Sequence, residues 1–245
     1  MLERSDHLKS IEQDRIDLAA AIRLAAKFEL HEGICNHFSV QCDGPDELYL
    51  INAYGWHWTE VTPDRLLLID GDGKVLEGEG EVEASARNIH IASHRANPRH
   101  KAILHVHMPY ATALSMLEGG RLEMAHQTAA RFYGRIGYEE EFGGIALTEE
   151  EGERIAREAR ANAHIDTMFL ANHGVVCSGP SVAQAFDDLY YLERAARQQV
   201  LAMSTGLPLK LIPEDTVKHT AEQFQQDFEV YAHQHFNALK RLVNA

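Results

Sequence analysis

The chain alternates short apolar runs with long amphipathic stretches, and that alternation constrains its fold more than any other feature. Phe38–Gln41, Leu48–Ile51, Leu66–Ile69, Ala102–His107, Met168–Leu170 and Gly174–Cys177 are short runs bounded by polar or turn-forming residues. Such runs fit strands buried in a sheet. Asp70-Gly71-Asp72-Gly73-Lys74 supplies a turn into a further short strand at Val75-Leu76. Helical periodicity fills the intervals. From Asp14 to His31, residues Ile16, Ala19, Ala20, Leu24 and Phe28 share one face, and Gly33 is the expected stop. Helices are also expected over Ala84–Ala96, from Pro109 onward, and from a capping box at Thr148-Glu149-Glu150-Glu151 to about Ala163. Two more are expected over Ser181–Met203 and Glu214–Leu239, separated by Gly206, Pro208 and Pro213. Residues 1–13 read as a flexible N-terminus, 14–206 as the domain, and 207–245 as a C-terminal helical arm of that domain. Strands and helices interleaved in this way imply a single α/β domain, and the hairpin-like early strands argue against an all-parallel sheet.

Charge narrows the partners. The 245 residues carry 23 Lys and Arg against 37 Asp and Glu, a formal net charge of -14. Such a surface repels phosphate backbones, so no nucleic-acid partner is expected. No run approaches the roughly 18 apolar residues of a membrane span. Met1-Leu2-Glu3-Arg4-Ser5-Asp6 carries charge where a signal peptide needs an apolar core. A cytoplasmic protein with no membrane partner is therefore expected. Cys35, Cys42 and Cys177 are odd in number and lack metal-type spacing, as expected of incidental reduced thiols.

Among the fifteen histidines, His105 and His107 are the sharpest signal. A strand places residues i and i+2 on one face, so these imidazoles can converge on one ion. His173, in Leu170-Ala171-Asn172-His173-Gly174, also lies where a buried strand meets a Gly turn. Three neutral imidazoles with one or two open positions make a catalytic type of divalent site. His90 and His94 are four apart on one helix face but lack the intervening Glu of H-E-x-x-H, so packing and hydrogen bonding are expected of them. His233 and His235, two apart on a helix, do not share a face. His37, His57 and His126 are candidates to line a pocket.

Two segments carry a family resemblance. Arg95-Ala96-Asn97-Pro98, followed by Ile103-Leu104-His105-Val106-His107-Met108-Pro109-Tyr110-Ala111, looks like the helix end, metal strand and following helix of the class II aldolase/adducin family. Leu170-Ala171-Asn172-His173-Gly174-Val175-Val176-Cys177-Ser178-Gly179 is similar to that family's N-H-G segment. The resemblance covers roughly residues 14 to 206. It implies a three-layer α/β/α class II aldolase-like fold with a central, largely antiparallel sheet. It also implies a homotetramer with active sites at subunit interfaces. His105, His107 and His173 would bind a divalent ion, zinc first, with manganese or iron as alternatives. In the family the ion chelates adjacent substrate oxygens and, as a Lewis acid, stabilises the enediolate left when a neighbouring carbon–carbon bond breaks.

The chain also departs from the family. Ala86 stands where sugar-phosphate aldolases of the family have a Glu four residues before the histidine matched by His90. Thr128 stands where related dehydratases have a carboxylate after an H-Q pair, here His126-Gln127. A G-N-x-S loop becomes Asn36-His37-Phe38-Ser39, and a T-P-S-G turn becomes Asn52-Ala53-Tyr54-Gly55. These changes remove tight anion-binding features, so a non-phosphorylated substrate is expected. The altered loops resemble the adducin-like bacterial branch, which includes a decarboxylase and aromatic-acid oxygenases. Candidate acid/base groups are His126, Tyr133 and Glu83, with His37 beside them. Candidate substrate-binding residues are Asn36, His37, Asn52, Gly55 and Ser85. The expected activity is a metal-dependent carbon–carbon lyase, by retro-aldol cleavage or decarboxylation, on a small hydroxy/keto or carboxylated substrate. The alternatives are an iron(II) oxygenase on the same three histidines and a non-enzymatic, adducin-like interaction module.

Overall fold

Side-chain alternation along one central strand sets the layers. In the computed structural model, which describes residues 2–145 and 148–243, strand β5 (Ala102–Val106) sends Ala102, Leu104 and Val106 into one core and Ile103 into another. The first core lies beneath helices α1 (Leu2–Lys27), α3 (Pro109–Ser115), α6 (Val182–Met203) and α8 (Phe228–Lys240). The second lies beneath α2 (Ala84–Ala96) and α5 (Glu149–Ala161). Helices therefore cover both faces of the sheet, giving three layers, α/β/α.

The other strands are β1 (His37–Gln41), β2 (Leu48–Asn52), β3 (Leu66–Asp70), β4 (Val75–Glu77), β6 (Ile136–Glu139), β7 (Thr167–Leu170) and β8 (Gly174–Gly179). Their order is β4-β3-β2-β1-β5-β8-β7-β6. Every neighbouring pair is antiparallel except β6 and β7, which are parallel. The largely antiparallel sheet is as expected. Register places His37 opposite His105, and His105 opposite Val176. That pairing brings β1 and β8 to the strand that carries the first two candidate ligands.

Several boundaries differ from the sequence expectation. The first helix begins at Leu2 rather than Asp14. Ile11 packs against the core and continues the apolar stripe of Leu18, Ile22 and Ala25, so the helix gains packing well ahead of Asp14. It ends at Lys27, before Gly33, in a Schellman turn. Glu29 takes φ 58°, its N–H donates to Ala26 O at 3.2 Å, and Leu30 N–H donates to Ala25 O at 2.9 Å. The final helix is two, α7 (Glu214–Gln226) and α8, broken at Asp227. The break seats the Phe228 ring 5.5 Å from the Arg131 guanidinium and 5.2 Å from that of Arg135. Strand β6 and the short helix α4 (Gln127–Ala130) had no sequence signal. Helix α5 starts at Glu149, and the side chains of its expected capping box beyond Thr148 lie outside the described residues.

A buried ionic network joins these elements. Arg131, at the end of α4, pairs with Asp187 of α6. Arg135 donates to Asp166 at 3.0 and 2.9 Å and to Asp188 at 2.6 Å. His235 of α8 lies 2.7 Å from Asp187, and His100 lies 3.2 Å from Asp166. Removing one member of a buried pair leaves its partners uncompensated, at a cost of about 3–5 kcal/mol. Arg135→Ala is therefore expected to lower unfolding free energy by about that amount in urea titration. An unchanged urea midpoint would contradict the network's structural role.

Candidate metal centre

Three elements deliver the candidate ligands. His105 lies on β5, His107 just beyond its end, and His173 in the turn between β7 and β8. That turn is sterically specified. Asn172 takes φ 54°, a left-handed conformation that Asn tolerates, and His173 N–H closes the turn on Leu170 O at 3.1 Å. A Cβ on Gly174 would lie 2.6 Å from Val106 O and 2.8 Å from His107 Cδ2, so only glycine permits this approach.

The three imidazoles converge. One nitrogen from each lies within 4.8 Å of the others, and the ring centroids are 4.8–5.0 Å apart. The tautomers are fixed from behind. His105 Nδ1–H donates to Val175 O at 3.0 Å, and His107 Nδ1–H donates to a Glu32 carboxylate oxygen at 2.6 Å. Both Nε2 atoms are thereby turned toward the centre, 3.2 Å apart. Lone pairs at that separation repel unless a cation lies between them. Nitrogens about 2.0–2.1 Å from a tetrahedral ion would stand roughly 3.3–3.4 Å apart. The donor set therefore fits a divalent ion with open positions, and the bonds to Glu32 and Val175 are the outer partners such ligands need. Burial pushes the pKa of His173 down to about 4 and that of His105 well below the ordinary imidazole value, with neighbouring imidazoles adding to both. Both are neutral and ready to ligate at neutral pH.

Beside this centre, on the α2 face of the sheet, lies a file of buried polar groups. His37 Nδ1 is 2.8 Å from His90 Nε2 and His90 Nδ1 bonds Ser39 Oγ. Ser39 Oγ lies 2.7 Å from His94 Nε2, and His94 Nδ1 is 2.8 Å from His100 O. The His37 ring centroid is 4.9 Å from that of His105. His90 and His94 thus serve packing and hydrogen bonding, as their spacing suggested. Burial lowers His37 to about 3 and His94 to about 4, and takes His90 well below the ordinary value.

The remaining candidates divide by place. Glu83 caps α2, accepting from Ala86 N at 2.9 Å and from Ser85 Oγ, and its Oε2 is 4.0 Å from His37 Nε2. Burial works to raise its pKa, but the Ser85 and Ala86 bonds and His37 outweigh it, so Glu83 is held ionised. Asn36 Oδ1 accepts from Glu32 N at 2.6 Å and His107 N at 3.5 Å, while its buried Nδ2 has no partner. Asn52 Oδ1 accepts from Phe38 N at 2.8 Å, bracing β1. Gly55 is exposed at φ 91° in the turn after β2. His126 is exposed and its Nδ1 caps α4. Tyr133 Oη donates to Glu214 at 3.0 Å. Among the described residues, neither His126 nor Tyr133 contacts the three-histidine cluster of its own chain. His57 caps a 3₁₀ turn and rings with His31 rather than with the cluster. A cavity of about 980 Å³ lies elsewhere, between α4, α6, α7 and α8, walled in part by Gln127, Thr128, Arg131 and Phe224. Glu32, Val175 and Ser39 are participants the sequence did not announce.

Comparison with known proteins agrees with this geometry. The family described as the class II aldolase and adducin N-terminal domain matches residues 16–200. The crystal structure of an aldolase II superfamily protein from Pseudomonas syringae superposes with a TM-score of 0.88 at 34% identity, over 96% of this chain and 93% of that one. An adducin-related protein of Schizosaccharomyces pombe is 32% identical over 92% of this chain and 69% of its own length. The decarboxylase NovR of Streptomyces niveus is 30% identical over 84% of this chain and 75% of its own.

The buried imidazoles make stability depend on pH. Unfolded histidines titrate near 6.5, whereas folded His37 and His94 do so at about 3 and about 4. Between roughly pH 4 and 6.5 the unfolded chain binds protons that the folded chain refuses, so stability rises with pH across that window. The urea midpoint of metal-free protein is expected to fall from pH 7 to pH 5, and less steeply in His94→Gln. A midpoint constant over that range would contradict the neutral, buried assignment.

Proposed function

Because the chain belongs to the class II aldolase and adducin family, we propose that it is a divalent-metal-dependent carbon–carbon lyase. It cleaves a small hydroxy/keto or carboxylated substrate, by retro-aldol reaction or decarboxylation. The observation that carries this reading is the convergence of His105, His107 and His173 with their ligating lone pairs turned inward by Val175 O and Glu32. A scaffold domain has no use for three oriented imidazoles around a gap of ion size. NovR, by its name a decarboxylase, supports the lyase reading by likeness.

His105, His107 and His173 would hold the divalent ion, zinc first, and it would supply Lewis acidity to a substrate oxygen. The chain's own residues do the rest. Glu32 and Val175 O hold His107 and His105 in the ligating tautomer. Asn36 accepts from the His107 backbone N–H and keeps a buried, unpartnered Nδ2 donor. Glu83, held ionised with its Oε2 4.0 Å from His37 Nε2, is the candidate carboxylate proton acceptor. Ala86 is buried in the α2 core and supplies no carboxylate, which leaves Glu83, the N-cap of the same turn, as the carboxylate there. Loss of the glycine from the Asn36–Ser39 loop and of both small hydroxyls from the Asn52–Gly55 turn argues against a phosphorylated substrate. His126 and Tyr133, remote from their own cluster, take a role only where copies assemble. We place them at a neighbouring copy's site in a homotetramer, and a monomer by ultracentrifugation would remove them from the mechanism.

Elemental analysis tests the centre. Protein purified without tag or chelator is expected to hold near one zinc per chain, lost in His105→Ala and His173→Ala. Glu32→Gln is expected to weaken metal affinity about 10–100-fold. Turnover of hydroxy acids, keto acids or aromatic carboxylates that persists without oxygen supports the lyase. Turnover that stops without oxygen, with bound iron, favours the oxygenase, and failure to bind any divalent ion after reconstitution contradicts the metal reading altogether.

A further inference from the structure

The buried file His37–His90–Ser39–His94 has a direction, and one carbonyl sets it. His100 O can only accept, so His94 carries its proton on Nδ1. Neutral His94 then accepts on Nε2 from the Ser39 hydroxyl, which has one proton to give. Ser39 Oγ must therefore accept from His90 Nδ1–H. Neutral His90 in turn accepts on Nε2 from His37 Nδ1–H. His37 is left with an unprotonated Nε2. All four side chains are buried, with 1–3% of their surface exposed, so water does not compete for these bonds.

What His37 Nε2 faces gives the polarity a purpose. Glu83 Oε2 lies 4.0 Å away, too far for a direct bond. Glu83 Oε2 already accepts from Ser85 Oγ and Ala86 N–H, so His37 Nε2 is the acceptor left without a donor. An O–H group about 2.8 Å from His37 Nε2 donates its one proton there, beside the Glu83 charge. A phosphate or carboxylate oxygen in that place meets two lone pairs and a negative charge. The gap also adjoins the metal centre, since His37 is the strand partner of His105.

We propose that the Ser39–His90–His94 relay, anchored on His100 O, fixes the His37 tautomer, and that His37 Nε2 with Glu83 forms a subsite that admits a substrate hydroxyl and rejects an anionic oxygen. This deepens the lyase reading, on which its substrate half rests, by assigning the hydroxyl a specific acceptor, His37 Nε2, beside a fixed negative charge. Ser39, His90 and His94 are positioning residues, since they act through His37.

The first test needs no ion. Long-range 1H–15N correlation spectra of metal-free protein labelled at histidine report each ring's tautomer, with His37→Phe identifying its signal. His37, His90 and His94 are expected as Nδ1–H tautomers. Ser39→Ala is expected to turn His37 and His90 into tautomer mixtures without changing the circular dichroism, and Ser39→Thr to restore them. An Nε2–H His37 in the wild type, or one unmoved by Ser39→Ala, overturns the relay whatever the metal content proves to be. The second test uses zinc-loaded protein and calorimetry with lactate against propionate and glycolate against acetate. The hydroxyl-bearing member is expected to bind at least tenfold tighter, and His37→Phe to reduce that advantage to under threefold while zinc is retained. Equal binding within each pair, no binding of either member, or an advantage that survives His37→Phe overturns the hydroxyl subsite.

Discussion

The antiparallel pairing of β1, β5 and β8 is the constraint on which the site depends. Its register sets His37 opposite His105 and His105 opposite Val176. One residue of slip would turn every side chain of β5 to the other face, exchanging Leu104 and Val106 of the main core for His105. The apolar core beneath α1 and α6 therefore holds the candidate ligands in register. The cost of burying imidazoles is met on the opposite face, where each finds a hydrogen-bond partner on β1, on α2 or at the α2 C-terminus.

Two polar systems with different duties follow from this layering. The network of Arg131, Arg135, Asp166, Asp187 and Asp188 pairs opposite charges and, with His235 of α8 on Asp187, ties α8, the α4–β6 segment and the residue ahead of β7 to α6. The histidine file carries no net charge and ends at the candidate centre. Contact between His100 and Asp166 brings the two systems together at the far end of the file.

Much of the fold was legible because strand and helix periods leave different marks. Ala84–Ala96 shows its helix by period, and Ala102-Ile103-Leu104 shows its strand by an apolar run. Strand β6 was hidden because Ile-Gly-Tyr-Glu has neither mark. Its Gly137 is there for packing, since a Cβ would lie 2.4 Å from Met168 Sδ. The break at Asp227 was hidden because neither Gly nor Pro announces it. At the site, His105 and His107 were legible from strand spacing, and His173 from the strand-end turn. Their partners were not, because Glu32 and Val175 O are 75 and 70 residues distant and meet them only through tertiary pairing. For the same reason the lack of a Glu between His90 and His94 pointed to hydrogen bonding without revealing that Ser39 joins them.

The central claim is that three imidazoles, oriented by a carbonyl and a carboxylate, form one divalent centre with open positions. X-ray absorption at the zinc edge of reconstituted protein tests it most directly. The geometry predicts three imidazole nitrogens at roughly 2.0–2.1 Å, with the remaining positions filled by oxygen. Fewer than three imidazoles in that shell, or a sulfur ligand in it, would contradict the account.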